Sequence, residues 1–95
     1  MTIGDLCEFK TNFPDADFWL QKKGSIDNVG TPLKEFYEEN IGVKVIRTDI
    51  FIPQYLYYYF QFLHQQGLFA PIAHGTLPLK NITISDIKSI PISFK

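Results

Sequence analysis

The stretch IPQYLYYYFQFLHQQG, residues 52–67, leaves the fold of this chain the least choice. It carries a helix's start and stop: Pro53 suits the first helical position, and Gly67 suits the residue just past the end. Leu56, Phe60 and Leu63 recur at i, i+4 and i+7 with Tyr59 beside them, which makes one apolar stripe. Tyr55, Tyr58 and Phe62 mark a second flank. The predicted helix, about residues 53–66, therefore has little polar surface and demands cover on more than one side. A chain of 95 residues has room to build one core around it, so residues 1–95 are expected to form a single domain.

The remaining elements are short. In MTIGDLCEFKTNF, Thr2 is a cap with Asp5 three residues on, which predicts a helical turn. FPDADFWLQKKGS reads as a Pro–Asp turn followed by a strand over DFWLQ. GSIDNVGTP holds Gly24, Gly30 and Pro32 within nine residues and predicts a loop or tight hairpin. LKEFYEENIG is either a helical turn or an irregular crossing, and VKVIRTDIFI predicts a strand through Arg47. HGTLPLKNITISDIKSIPI predicts a strand around Ile82–Ile84, a turn capped by Ser85, and a final strand. Its isoleucines 82, 84, 87, 90 and 92 are assigned to the core. The fold class is α+β, with short mixed or antiparallel strands and one main aromatic-rich helix.

Chemistry is sparse. The lone Cys7 excludes an intrachain disulfide and a multi-thiolate metal site, and its apolar neighbours make it a buried structural thiol. Asp15 with Asp17, and Glu38 with Glu39, read as solvated faces rather than acid–base pairs. His64 and His74 lack the spacing of a zinc site, and His64 suits the C-terminal dipole of the long helix. The glycines of GSIDNVG match neither a phosphate-binding loop nor a dinucleotide fingerprint. No catalysis, metal or cofactor is expected. Arg47 is expected to pair with Glu38 or Glu39. There is no leader pattern, and no apolar run approaches the roughly 18 residues of a membrane span, so a reducing cytoplasmic setting is the expectation. Net charge is −1, split into −4 over residues 1–40 (four lysines, eight acids) and +3 over residues 41–95 (five bases, two acids). A strong autonomous nucleic-acid binder carries a clear basic excess, and this chain does not.

Four stretches, in order, resemble one family pattern. IGDLCEFKT resembles the L-G-D-[IL] opening of target recognition domains from the specificity subunits of type I restriction–modification systems. KKGSIDNVG resembles their R-x-G-x-[IT]-G-x-[VA] hairpin, and DIFIPQYLYYYFQ their P-x-Y-L-Y-Y-x-[FL] helix. GTLPLKNITISDIKSIPI resembles their closing motif, built on [SD]-[DL]-[IL]-x-x-[IL]-x-[IL]-P. The likeness runs from about residue 3 to residue 93.

The resemblance implies a target-recognition-domain-like fold and a non-catalytic module that reads double-stranded DNA beside a methyltransferase or other DNA-processing subunit. Family domains run longer and continue into a helical spacer, so this is expected to be a trimmed version without that spacer. By analogy, the loops at Lys22–Gly30 and Gly75–Asn81 approach the duplex. Candidate contacts are Lys22, Lys23, Ser25, Asn28, Thr76, Lys80 and Asn81, where lysines suit phosphates and Asn28 suits an adenine edge. Tyr55, Tyr57 and Tyr58 are read as core or partner packing over base stacking. A homodimer would cover the aromatic helix. The alternative function is a protein-interaction module, of phage or mobile-element type, that modulates a restriction–modification or other DNA-processing complex.

Overall fold

Local signals set the chain's course in the computed structural model, which describes residues 1–75 and 79–92. At the start, the Asp5 carboxylate accepts from the Thr2 amide at 2.9 Å, closing a 3-10 turn over Ile3–Asp5. That bond holds the Asp5 carboxyl below the usual carboxylate range. Strand β1 (Cys7–Thr11) follows, turning Cys7 and Phe9 inward and Glu8 and Lys10 outward. It ends at Asn12, whose φ of 50° is left-handed, a conformation an Asn side chain tolerates. The chain then crosses over the sheet, and Trp19 Nε1 donates to the Phe13 carbonyl at 3.0 Å.

The fully buried strand β2 (Phe18–Leu20) leads to three short pieces, β3 (Lys23–Gly24), β4 (Pro32–Leu33) and, after an irregular crossing, β5 (Ile41–Val45). Helix α1 (Pro53–Gln65) has Pro53 in its first turn and ends before Gly67, whose φ of 77° is the left-handed stop its sequence predicts. Helix α2 (Phe69–Ile72), strand β6 (Lys80–Asn81) and helix α3 (Ile84–Lys88) complete the described chain.

The main sheet is antiparallel with strand order β1-β5-β2-β4; β3 and β6 form a separate two-stranded ribbon. Cys7 faces Val45 and Thr11 faces Ile41 across β1 and β5, while Phe18 faces Val43 and Leu20 faces Ile41 across β2 and β5. Gly42, in mid-β5, is required by a close approach: a Cβ there would lie 2.7 Å from that of Phe13 in the crossing loop. Helix α1 packs its buried Leu56 and Phe60 toward the sheet, and Phe18 meets Phe60 at 5.7 Å and Tyr57 edge-on at 5.5 Å. The molecule is 19 Å across its thinnest axis, which is two layers deep, since packed layers stand about 10 Å apart. The α+β expectation and the long helix agree with this architecture.

Several local expectations need correction. Tyr55, Tyr58 and Phe62, expected to be covered, are each at least 50% exposed, because the sheet covers only the Leu56–Phe60 side of α1. The strand expected to run through Arg47 stops at Val45: the amides of Ile46 and Arg47 both turn to the Leu6 carbonyl, at 2.8 and 3.1 Å. Arg47 pairs with Asp49, two bonds at 2.8 and 3.0 Å, rather than with Glu38 or Glu39, because the turn after β5 folds its own acid back onto it. The pair is exposed, so solvent screens it and it contributes little to stability.

In the last third, strand pairing falls at Lys80–Asn81 instead of Ile82–Ile84. Thr83, not Ser85, caps the following helix, accepting from the Asp86 amide at 3.2 Å. The expected final strand is reduced to a single bridge between Pro91 and Thr2, and its continuation at 93–95 lies outside the described residues. Ile82, Ile87, Ile90 and Ile92 are buried as expected, with Ile84 packed at the core's margin.

Two predictions follow from this packing. Gly30 has φ +84°, and a Cβ would sit 2.4 Å from the Phe69 ring; Gly67 has φ +77° with nothing within 4 Å. Gly30→Ala should lower unfolding free energy by roughly 2–4 kcal/mol and Gly67→Ala by about 1–2 kcal/mol in urea denaturation, the difference measuring the ring collision. Cys7 is buried, and burial, aided by the Asp17 charge, pushes its thiol up to about 12. An unfolded thiol ionises near 8.5. The folded form therefore holds the proton longer, and the stability this gives is intact below about pH 8.5 and falls as pH rises toward 12. Thiol-reagent labelling at pH 8 should be slow in the native protein and fast in denaturant.

Candidate nucleic-acid interface

The two stretches proposed from sequence to contact a duplex lie far apart along the chain, yet the fold pairs them. Lys23 stands opposite Asn81 and Gly24 opposite Lys80 in the β3–β6 ribbon. The Ile82 amide donates to the Lys22 carbonyl at 3.0 Å, extending the pairing by one rung. On its other side Asn81 exchanges backbone bonds with His74, at 2.7 and 2.8 Å. Asn81 is thus held between two neighbours, and Lys22, Lys23, Lys80 and Asn81 come together along one short ribbon.

Anchors outside the ribbon hold it. His74 Nε2 lies 2.7 Å from an Asp86 carboxylate oxygen that also accepts from the Thr83 hydroxyl at 2.8 Å. The Thr83 bond, with the His74 contact adding to it, holds the Asp86 carboxyl below the usual carboxylate range. The Lys80 ammonium donates to the Gly75 carbonyl at 2.8 Å, which turns its stem back along the ribbon. Lys22 and Lys23 make no side-chain hydrogen bond or ion pair among the described residues, so both cations remain available.

Ser25 and Asn28 sit on the loop joining β3 to β4, and every turn of this loop is hydrogen-bonded. The Ser25 carbonyl accepts from the amides of Asn28 and Val29 at 2.9 and 3.1 Å. The loop's base closes through Gly30 to Gln21 (2.8 Å) and Gln21 to Thr31 (3.0 Å). Thr31 donates its hydroxyl to the Asn28 carbonyl at 2.6 Å. From outside, His64 near the end of α1 places Nε2 at 2.8 Å from the Asp27 carbonyl. A carbonyl only accepts, so this nitrogen carries a proton and donates. Val29 is buried beneath, and Ile26, Asp27 and Asn28 form the exposed tip. The Asn28 side-chain amide has no partner among the described residues and is open to a ligand.

Of the seven candidate contacts, the structure brings Lys22, Lys23, Lys80 and Asn81 onto the ribbon and puts Ser25 and Asn28 on the adjoining loop; Thr76 lies outside the described residues. His64, assigned from sequence to the helix dipole alone, proves to clamp the loop. His74 and Gln21 were not singled out as parts of a site; neither has a local signal, since their roles depend on pairings across the chain. Among the described residues no three His, Cys, Asp or Glu side chains gather as metal ligands, and no helix is long and apolar enough to cross a membrane.

Neither a family model nor a curated protein matches this sequence. Among solved structures, the chain is similar to the S subunit of the type I restriction–modification system from M. genitalium, with a TM-score of 0.68 at 18% identity. The match covers 93% of this chain and 32% of that one, so the chain spans about a third of the length of its structural neighbour. At this identity the likeness is one of fold, and at that level it agrees with the motif resemblance. His64→Ala should speed amide hydrogen exchange at Asn28 and Val29 about tenfold while leaving β1 and β5 protected, since one hydrogen bond contributes roughly 0.5–1.5 kcal/mol.

Proposed function

We propose that this chain is a non-catalytic DNA-interacting module of the target-recognition type, working in the cytoplasm beside a partner subunit. The observation that supports it is the β3–β6 pairing, which gathers two stretches that the specificity-subunit resemblance directs at a duplex. In this reading Lys22, Lys23 and Lys80 neutralise phosphates and fix the register, and Asn28, on its hydrogen-bonded loop, offers an amide to an adenine edge in the major groove. Ser25, Thr76 and Asn81 add polar contacts. A net charge of −1 gives little non-specific attraction. A methyltransferase or other DNA-processing subunit would supply the missing positive surface.

The direct test is titration of labelled duplex at low salt, with and without candidate methyltransferase subunits. Three phosphate contacts predict a slope of about −2.7 for log affinity against log salt, and changing Lys22, Lys23 and Lys80 to Ala should flatten it toward zero. Absence of any complex at low salt would sink the DNA reading. Binding that survives the triple change would instead move the contact surface elsewhere.

A second reading is favoured by the exposed flank of Tyr55, Tyr58 and Phe62 on α1. Exposed aromatic stripes mark protein contacts. Here the module would bind a protein of a restriction–modification or related complex, as a phage or mobile-element modulator does. Pull-downs before and after nuclease separate the two, because a DNA-bridged partner is lost on digestion and a directly bound one is kept.

A further inference from the structure

β1 is the outer strand of the main sheet, and the hydrogen bonding of β5 decides which of its backbone groups stay unpaired. The Val43 carbonyl accepts from the Asp17 amide at 2.8 Å, and the Val45 amide donates to the Asp17 carboxylate at 2.8 Å. Odd-numbered residues of β5 therefore turn their backbone toward β2. The even-numbered Gly42 and Lys44 turn toward β1, where they face Lys10 and Glu8, and the Ile46 amide continues this series to Leu6. Antiparallel alternation then points the amides and carbonyls of Cys7, Phe9 and Thr11 off the sheet. No hydrogen bond reaches them among the described residues.

Such a row is a template for another strand, and the sequence of β1, Cys-Glu-Phe-Lys-Thr, complements itself. We propose that β1 pairs with β1 of a second copy of this chain, antiparallel about a two-fold axis at Phe9. In that register Phe9 exchanges both backbone bonds with Phe9 of the second copy, and Cys7 does so with Thr11. These are the residues whose backbone groups the edge leaves open. On the outward face Glu8 stands opposite Lys10 of the other copy, twice by symmetry, at the closer, non-hydrogen-bonded spacing where side chains interact most. Both side chains are about half exposed, and the ion pair between them is a loose 4.0 Å. Lys10 also lies 4.5 Å over the Phe13 ring, a contact that holds it on this face.

Charge selects the register as well. Sliding one strand by two residues either way keeps the backbone parity but sets Glu8 against Glu8 or Lys10 against Lys10. Only the register centred on Phe9 opposes unlike charges throughout. The proposal stands apart from DNA binding, and its test contains no DNA.

Sedimentation equilibrium from micromolar to millimolar protein should show a monomer–dimer equilibrium. Lys10→Glu should weaken association about tenfold or more, since two attractions become two repulsions. Glu8→Lys should act likewise; because Glu8 also faces Lys44 across β5, Lys10→Glu is the cleaner single change. The double variant E8K/K10E should restore the dimer, and mixing the two single variants should give a heterodimer. Thr11→Pro removes an amide that points off the sheet, so it should abolish the dimer with the far-UV circular dichroism unchanged. A chain that stays monomeric at millimolar concentration overturns the proposal. So does a dimer indifferent to Lys10→Glu, or one that the double variant fails to restore.

Discussion

Phe18, Phe60 and Phe69 form a line of rings on which the rest of the structure depends. Phe18 comes from β2, Phe60 from α1 and Phe69 from α2; their centroids are 5.7 and 6.4 Å apart, and each is at most 1% exposed. Three elements are fixed to one another by three side chains, each burying roughly 150–250 Å². Gly30 packs closely against the Phe69 ring, so the same line ends at the loop that carries Ser25 and Asn28. Core packing thus sets the height of the candidate interface. A small domain has little other means of doing so, because no polar side chain is buried among the described residues.

Apart from the buried Trp19–Phe13 bond, side-chain hydrogen bonds among the described residues lie at or near the surface, where they orient short elements that burial alone does not hold. Two-residue strands such as β3 and β6 contribute too few ladder bonds to stand alone. His64 at the end of α1 clamps the loop after β3, and His74 ties the start of the last segment to Asp86 in α3. Each histidine joins a weak element to a helix. Among the described residues, neither gathers with two further His, Cys, Asp or Glu side chains as a metal site would.

Three regions of the described surface differ in chemistry. The ribbon and its loop carry unpaired lysines and an open amide. The outward flank of α1 carries Tyr55, Tyr58 and Phe62. The β1 edge carries unpaired backbone groups between opposite charges. The fold is similar to part of a longer S subunit, and the proposed roles give each region its own class of contact: duplex, protein partner and second copy.

The sequence by itself determined the elements whose causes are local. Pro53 and Gly67 bound the long helix, Leu56 and Phe60 mark its inner stripe, Thr2 and Asp5 set the first turn, and Cys7 sits among apolar neighbours where its thiol is buried. Those signals act within a few residues, through missing amides, left-handed turns and helical periodicity. Tertiary structure decided the rest. Exposure of Tyr55, Tyr58 and Phe62 depends on the sheet covering one side of α1, which no aromatic residue announces. The end of β5 at Val45 was settled by the Leu6 carbonyl, and the partner of Arg47 by the turn that brings Asp49 back. The motif resemblance named the candidate contacts, but only pairing across the chain set Lys23 beside Asn81, because two-residue strands have no period to read. Local physics specifies segments; which segments meet depends on contacts between residues far apart in the chain.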